Sequence, residues 1–278
     1  MSEIQRRVRS THFRDKKQRG EKIVMLTAYD AAMARLLDAA GVDALLVGDS
    51  LGMVVMGCET TIEVTLDAMI HHTKAVSRGV ERSLVVADMP FMTYQAGIDE
   101  AVRNAGALLQ KGGAAAVKLE GGRAVVDAVG RMTAVGIPVM GHLGLLPQAI
   151  HQLGGYRRQA TSAASEELLL QDALALQEAG AFAIVLECVP DAAAQRVTGQ
   201  LSIPTIGIGA GPGCDGQVLV INDILGLSNA APPFSKLYFD LGTAVTAAAR
   251  QFASDVRDAR FPDREGKTRD DAVVQPDR

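Results

Sequence analysis

The sequence predicts a parallel (β/α)8 barrel, and three features of its 278 residues lead to this fold class. Eight short runs rich in β-branched residues recur, and each is continuously apolar, as expected for strands buried on both faces. Stretches with helical periodicity separate the runs, and most of them end at a glycine, the residue that favours a left-handed helix C-terminus. An open doubly wound sheet usually has fewer strands, so a closed barrel is the better interpretation.

The elements follow one another in a regular order. After the first run comes the helical segment AAMARLLDAAG, and the next four runs are followed by TLDAMIHHTKAVSRG, DEAVRNAGALLQKGG, GRAVVDAVGRMTAVG and SEELLLQDALALQEAG. The last run, QVLVINDILG, also has partly helical character. No G-x-G-x-x-G motif for a dinucleotide follows the first run. The predicted strand regions are 23–30, 44–50, 83–90, 115–122, 137–144, 182–190, 203–211 and 217–226.

The predicted organisation is one barrel domain over residues 1–261, which includes an N-terminal helical arm at 1–22. The arm is rich in arginine and lysine, and its predicted form is a solvated helix or a contact arm. Residues 262–278 are polar and contain two prolines, so they are predicted to be a disordered tail.

Composition excludes several classes of function. Hydrophobic residues make up 48% of the chain and the net charge is -4, which does not fit a protein that binds nucleic acid or an anionic membrane. The aromatic content is 4%, with no tryptophan, so platforms for stacking bases are not expected. The three cysteines have no zinc-site spacing, and no segment has the apolar length of a signal or a membrane span. A soluble cytoplasmic protein is expected.

Charged residues end several apolar runs, where a buried strand should carry none unless something compensates the charge. Asp49, Asp88 and Glu120 end the second, third and fourth runs, so they should meet at one side of the barrel rim. Three close carboxylates repel one another unless a cation lies between them, and oxygen donors suit Mg²⁺. The alternative is that they cap helices and form salt bridges. His142, at the end of the fifth run, is a candidate for binding substrate or supporting the site.

Two further residues suggest chemistry at the same rim. In VKLEGG, Lys118 and Glu120 lie two positions apart and so point to one side of their strand. Lys118 can bind a substrate carboxylate, stabilise an enolate or form a Schiff base, but nearby acids keep an amine protonated and disfavour the last role. Glu187, at the end of the sixth run, is a candidate general base. The alternative is that Glu187 pairs with a neighbouring basic group such as Arg157 or Arg158.

From about Thr27 to Phe261, the chain resembles the ketopantoate hydroxymethyltransferase family. The resemblance is carried, in order, by TAYD, VGDSLGMVVMG, ADMPFMTY, VKLEGG, GHLGLLPQ, LGGYRRQ, LECVP and IGIGAGPGCDGQVLVINDILG. VGDSLGM together with KLEGG and LECVP is a specific signal, whereas any one of them alone is weak.

The resemblance implies a TIM barrel of the phosphoenolpyruvate mutase/isocitrate lyase superfamily. It implies an enzyme of pantothenate biosynthesis that uses Mg²⁺ and transfers a hydroxymethyl group from methylenetetrahydrofolate to 3-methyl-2-oxobutanoate. The product would be 2-dehydropantoate (ketopantoate), formed through a Mg-stabilised enolate. The implied roles are Mg²⁺ ligation by Asp49, Asp88 and Glu120, keto-acid binding by Asp49, Ser50, Asp88 and Lys118, and proton abstraction by Glu187.

The family also implies a large homo-oligomer, often a decamer. The runner-up is a Mg²⁺-dependent lyase or mutase that acts on a 2-oxo acid and belongs to the same superfamily. Such enzymes tend to carry a catalytic cysteine in a K-x-C-G-H type loop, whereas Cys58, Cys188 and Cys214 have other neighbours. A non-catalytic binding barrel is disfavoured, because unused buried charges would only destabilise it.

Overall fold

The computed structural model describes residues 7–228 and 231–262 and contains a closed barrel of eight parallel strands that pair in chain order. Every predicted strand region contains a strand, so the predicted (β/α)8 fold is confirmed. The strands are β1 (Ile23–Thr27), β2 (Ala44–Val47), β3 (Leu84–Asp88), β4 (Ala116–Glu120), β5 (Val139–Gly144), β6 (Ala183–Glu187), β7 (Thr205–Ile208) and β8 (Gly216–Leu219).

Helices connect the strands, as the periodicity predicts. The short helix expected within QVLVINDILG is present directly after β8. Short 3₁₀ turns occur at Thr61–Glu63, Arg123–Val125 and Pro147–Ala149. The α-helices are α1 (Ser10–Arg19), α2 (Ala31–Ala39), α3 (Leu51–Val54), α4 (Leu66–Arg78), α5 (Ile98–Gln110), α6 (Val126–Ala134), α7 (Ile150–Leu153), α8 (Ala163–Glu178), α9 (Asp191–Gln200), α10 (Ile221–Ile224) and α11 (Leu241–Arg257).

The register of the barrel brings the charged strand ends to neighbouring positions. Asp88 of β3 is aligned with Lys118 of β4, and Glu120 is aligned with His142 of β5. On the next strand, Glu187 is aligned with Gly144. Because all strands are parallel, these side chains share the C-terminal end of the barrel, where barrel enzymes carry their active sites.

Helix α1 packs against the opposite, N-terminal end of the barrel through one buried side chain, and its other residues are partly or fully exposed. Phe13 is fully buried among the barrel residues and meets the ring of Phe182 edge to face at 5.4 Å. Lys16 and Lys17 pair with Asp43 and Asp215 at 2.7 and 2.9 Å. The sequence suggested a solvated helix because basic residues surround a single large apolar side chain, yet that side chain anchors the helix to the barrel.

The chain divides into two compact units. The first runs to Ile221 and includes Pro232–Ser235, and the second comprises the described parts of Asn222–Ala231 and Lys236–Arg278. In the second unit, the carboxylate of Asp240 caps α11, and no residue of α11 is buried.

The single domain over 1–261 stays a prediction, and the predicted tail lies outside the described residues beyond position 262. Among the described helices, none is both long and apolar enough to cross a bilayer.

Candidate active site

Five charged or titratable side chains are buried at the C-terminal end of the barrel. The strand-end positions predicted from the sequence meet there, and each of these side chains belongs to a residue that is at most 6% exposed. Such a cluster is unfavourable for stability unless its charges are balanced, so its presence indicates function. The five residues are Asp49, Asp88, Lys118, Glu120 and His142.

Asp49 and Asp88 are joined through the backbone. The amide of Asp49 donates to Asp88 Oδ2 at 3.0 Å, which fixes the loop after β2 against the end of β3. A Cβ atom at Gly48 would lie 2.8 Å from Ser50 Oγ and 3.4 Å from Asp88 Oδ2, so a larger residue there would displace the Ser50 hydroxyl. Burial, with the charges of Asp88 and Glu120, raises the pKa of Asp49 well above its ordinary value.

Lys118 is the cation of the cluster. Its Nζ lies 3.1 Å from Asp88 Oδ1 and 3.1 Å from His142 Nδ1. Burial lowers its pKa, but the charges of Asp88, Glu120 and Asp49 outweigh burial and leave the pKa raised. The amine is therefore protonated, as predicted, and a Schiff base at Lys118 is disfavoured.

His142 links the carboxylate cluster to Glu187. Its Nε2 lies 3.1 Å from Glu187 Oε2, while Nδ1 lies 3.5 Å from Glu120 Oε1. Burial and Lys118 lower the pKa of His142, but the two carboxylates outweigh them and raise it. In the neutral imidazole that accepts from the Lys118 ammonium at Nδ1, the ring proton is on Nε2, which lies close to Glu187 without a hydrogen bond to it.

Glu187 is more accessible than the cluster, with 15% of its side chain exposed. Among the residues that the structure describes, its ion-pair partner is His142, and no ion pair joins it to Arg157 or Arg158. The basic group beside Glu187 is therefore His142, and the predicted arginine partners do not take this place. A carboxylate at the mouth of the cluster, with a histidine behind it, can reach a proton on a bound molecule.

Ser50 and two tyrosines lie near the acid cluster. Ser50 Oγ and Tyr29 OH are 2.9 Å apart, so the hydroxyl of the residue next to Asp49 is held in place. Burial and the charges of Glu187 and Asp49 raise the pKa of Tyr156, which places its hydroxyl within the field of the acids. The sequence analysis gave no role to either tyrosine, although Tyr29 lies in the TAYD motif.

Sequence reasoning also missed Gln148 and Tyr94, which contact the acid cluster. Gln148 donates its backbone amide to Glu120 and its side-chain amide to Asp49, and Tyr94 donates its hydroxyl to Gln148. The available signal was their position at the ends of GHLGLLPQ and ADMPFMTY. Both are uncharged loop residues, so the search for charges at strand ends did not select them.

The donor set fits a hard divalent cation by charge and chemistry. Three buried carboxylates share one lysine, and the cation beside Asp88 Oδ1 is the Lys118 ammonium at 3.1 Å. A divalent cation would balance this excess of negative charge, and oxygen donors suit Mg²⁺. Within 7–228 and 231–262, no three His, Cys, Asp or Glu side chains form a ready-made metal-binding group. The site therefore fits Mg²⁺ in its charge and in its oxygen donors. The roles of Asp49, Asp88 and Glu120 as metal ligands stay a prediction.

Comparisons of the fold define the class of protein. A 2,3-dimethylmalate lyase, described as a PEP mutase/isocitrate lyase superfamily member, has a TM-score of 0.58 and 20% identity over 90% of this chain and 88% of that one. A phosphonopyruvate hydrolase solved with oxalate and Mg²⁺ has a TM-score of 0.60 and 14% identity over 91% and 88%. The protein is thus an α/β barrel with the phosphoenolpyruvate mutase/isocitrate lyase fold.

Sequence comparisons identify the family. The model of ketopantoate hydroxymethyltransferase matches residues 7–264. A 3-methyl-2-oxobutanoate hydroxymethyltransferase of Syntrophus aciditrophicus (strain SB) is 55% identical over 94% of this chain and 96% of its own length. That of Thermosynechococcus vestitus (strain NIES-2133 / IAM M-273 / BP-1) is 54% identical over 93% and 100%. The chain belongs to the ketopantoate hydroxymethyltransferase family and is an enzyme, a hydroxymethyltransferase.

Proposed function

We propose that this enzyme transfers a hydroxymethyl group from methylenetetrahydrofolate to 3-methyl-2-oxobutanoate and forms ketopantoate. The observation that carries the proposal is the buried cluster of three carboxylates and one lysine, with Glu187 connected to it through His142. The membership of the chain in the family supports the choice of both substrates. The reaction consumes one water molecule, because the donor's methylene group becomes a hydroxymethyl group.

Asp49, Asp88 and Glu120 are the proposed ligands of Mg²⁺. When bound, Mg²⁺ would withdraw electron density from the keto group of the substrate and make the C3–H bond more acidic. The resolved oxalate and Mg²⁺ complex of a barrel with the same fold supports this choice of metal. The three carboxylates are buried, so the attraction between each carboxylate and a bound cation is stronger there than at the surface.

The keto acid is bound by Asp49, Ser50, Asp88 and Lys118 in this proposal. The protonated Lys118 supplies the positive charge for the anionic oxygens of the substrate, and its contact with Asp88 fixes the position of Nζ. Ser50 offers its hydroxyl from the loop after β2, where Tyr29 holds it. These groups keep the keto acid oriented with C3 toward the base.

Glu187 is the proposed general base. It accepts the proton from C3 of the keto acid. Water replaces the two folate nitrogens on the donor's methylene carbon, so tetrahydrofolate leaves, and the enolate carbon bonds to this carbon, whose oxygen takes up a proton. The partial exposure of Glu187 leaves it accessible to the substrate, and His142 Nε2 lies 3.1 Å from one of its oxygens. The side chain therefore has a defined position with one carboxylate oxygen available for the proton.

The proposal includes a homo-oligomer, with the decamer that the family resemblance implies, in the cytoplasm. Apolar side chains exposed on α11, such as Val245 and Phe252, support association with further copies. The proposed partners are the two small-molecule substrates, without nucleic acid or membrane. Multi-angle light scattering of the full-length protein tests the oligomer, and a monomer at micromolar concentration would contradict it.

The first experiment is proton NMR of 3-methyl-2-oxobutanoate in D₂O with the enzyme, without folate. Loss of the C3–H signal that requires Mg²⁺ and stops with EDTA is the expected result. Methylenetetrahydrofolate is then added, and ketopantoate should form. Exchange without ketopantoate would overturn the proposed transfer and favour a lyase or mutase that acts on a related 2-oxo acid.

A further inference from the structure

Gln148 contacts two of the three predicted metal ligands, although it lies on neither of their strands. It is buried, within the 3₁₀ turn Pro147–Ala149 that follows β5. Its backbone N–H donates to Glu120 Oε2 at 3.0 Å, and its side-chain Nε2 donates to Asp49 Oδ2 at 2.8 Å. One residue therefore fixes one carboxylate through its backbone and another through its side chain.

The direction of the Gln148 amide is determined on both sides. Its Nε2 also donates to the carbonyl oxygen of Met89 at 2.9 Å, so both partners of the nitrogen are acceptors. Its Oε1 accepts from the hydroxyl of Tyr94 at 2.8 Å and from Nε2 of Gln95 at 3.2 Å. A reversed amide would place oxygen against two acceptors and nitrogen against two donors.

Tyr94 links Gln148 to the backbone of Glu120, the last residue of β4. Its hydroxyl accepts the backbone N–H of Glu120 at 3.1 Å. The hydroxyl proton has two acceptors, and Gln148 Oε1 at 2.8 Å is nearer than the carbonyl oxygen of Glu120 at 3.2 Å. The network therefore closes from the backbone of Glu120 through Tyr94 and Gln148 to the carboxylates of Asp49 and Glu120. Tyr94 and Gln148 are uncharged, so they hold the carboxylates without adding a counter-charge.

We propose that Gln148, oriented by Tyr94, is a positioning residue that holds the carboxylates of Asp49 and Glu120 for the divalent cation. The inference deepens the proposed function and rests on its Mg²⁺ site. Gln148 engages one oxygen of each carboxylate, so the rotation of each carboxylate is restricted and the second oxygen stays free of it. Outer partners that orient carboxylate ligands in this way tune metal affinity.

The test is isothermal titration of the full-length protein with Mg²⁺ alone, with the melting temperature measured on the same samples. Gln148→Met keeps the volume and the backbone N–H but removes the donor to Asp49. We expect its Kd for Mg²⁺ to rise by about 10- to 100-fold, the usual range for loss of an outer partner. Tyr94→Phe removes only the orienting hydroxyl and should raise the Kd in the same direction by less.

Gln177→Met is the matched control. The side-chain oxygen of Gln177 accepts from the amides of Ser202 and Ile203 and from the Ser202 hydroxyl, at the N-terminal end of the barrel. This variant also loses side-chain hydrogen bonds, here exposed or part-buried, so it should melt at a lower temperature while it binds Mg²⁺ as the wild type does. A purely structural role for Gln148 would give the same pattern.

Wild-type affinity in Gln148→Met would overturn the inference. If that variant does not fold, Tyr94→Phe provides the test. An unchanged Mg²⁺ affinity in Tyr94→Phe would also overturn the inference. If the wild type itself binds no Mg²⁺, the proposed metal site fails and the inference fails with it. Measurement of the wild type first therefore separates the two failures.

Discussion

At the N-terminal end of the barrel, Asp43 pairs with Lys16 and Asp215 pairs with Lys17, so each acid has its own cation. At the C-terminal end, three buried carboxylates share Lys118. Both ends combine acidic residues with lysines, within one compact unit. They differ in charge pairing, because each of these acids at the N-terminal end has its own lysine whereas three carboxylates share one lysine at the C-terminal end.

The difference shows how a barrel separates stability from function. Paired charges at the N-terminal end hold α1 and the loops in place, as expected for the face of a barrel that stabilises it. The C-terminal end leaves its charge unbalanced and the pKa values of Asp49 and Asp88 raised, which is unfavourable without a ligand. The predictions that follow change one end at a time.

The largest expected effect comes from Glu187→Gln at the C-terminal end. Loss of a positioned general base should slow C3–H exchange of 3-methyl-2-oxobutanoate by about 10²- to 10⁴-fold. The amide keeps the shape of the side chain, so Mg²⁺-dependent binding of the keto acid should persist. Proton NMR in D₂O measures the exchange rate, and isothermal titration measures binding.

Glu167→Gln is the control for this variant, because Glu167 is exposed on α8 and pairs with Arg196 at 2.6 Å, outside the site. It should exchange C3–H at the wild-type rate. If Glu187→Gln did the same, the assignment of Glu187 as the base would be wrong.

Phe13→Ala tests the N-terminal end. Phe13 is fully buried against the barrel, so the variant should lose about 3–5 kcal/mol of unfolding free energy, as other buried Phe→Ala changes do. Urea denaturation measures the loss. Exchange of C3–H per folded molecule should be unchanged, because α1 lies at the end opposite the site. A slower exchange rate in the folded variant would show that the two ends are coupled.

The sequence was sufficient to predict the strands and the charged part of the site. Continuous apolar runs mark strands buried on both faces, and a charge at the end of such a run is conspicuous, as at Asp88 and Glu120. The roles of Gln148 and Tyr94 could not be predicted in this way. Their contacts depend on loop conformation after β3 and β5, which tertiary packing sets and no periodicity encodes.

Helix α1 illustrates a different limit of sequence reasoning. Its composition is that of a solvated basic helix, with Phe13 as its one buried residue. Whether such a residue is exposed or buried depends on a partner far away in the chain, here Phe182 just before β6. Local pattern could therefore predict that α1 is a helix but not that it closes the barrel.

The smallest expected effect is a pair of pH dependences of opposite sign, measured by urea unfolding with EDTA present. At the N-terminal end, burial raises the pKa of Asp38, but the Ser83 hydroxyl and the amides of Glu81, Ser83 and Arg82 outweigh burial and lower it below 3.8. Its stabilisation is therefore present above pH 3.8 and is lost as pH falls through the lowered pKa. The wild type should exceed Asp38→Asn in stability, by an amount that shrinks with acidification.

At the C-terminal end the sign is reversed, because the pKa of Asp49 is raised by burial and by its acidic neighbours. Its favourable contribution is present below pH 3.8 and is lost as pH rises through the raised pKa. In metal-free protein, Asp49→Asn should therefore gain stability relative to the wild type as pH increases. Difference curves that run in the same direction for the two variants would contradict the contrast between a balanced and an unbalanced end of the barrel.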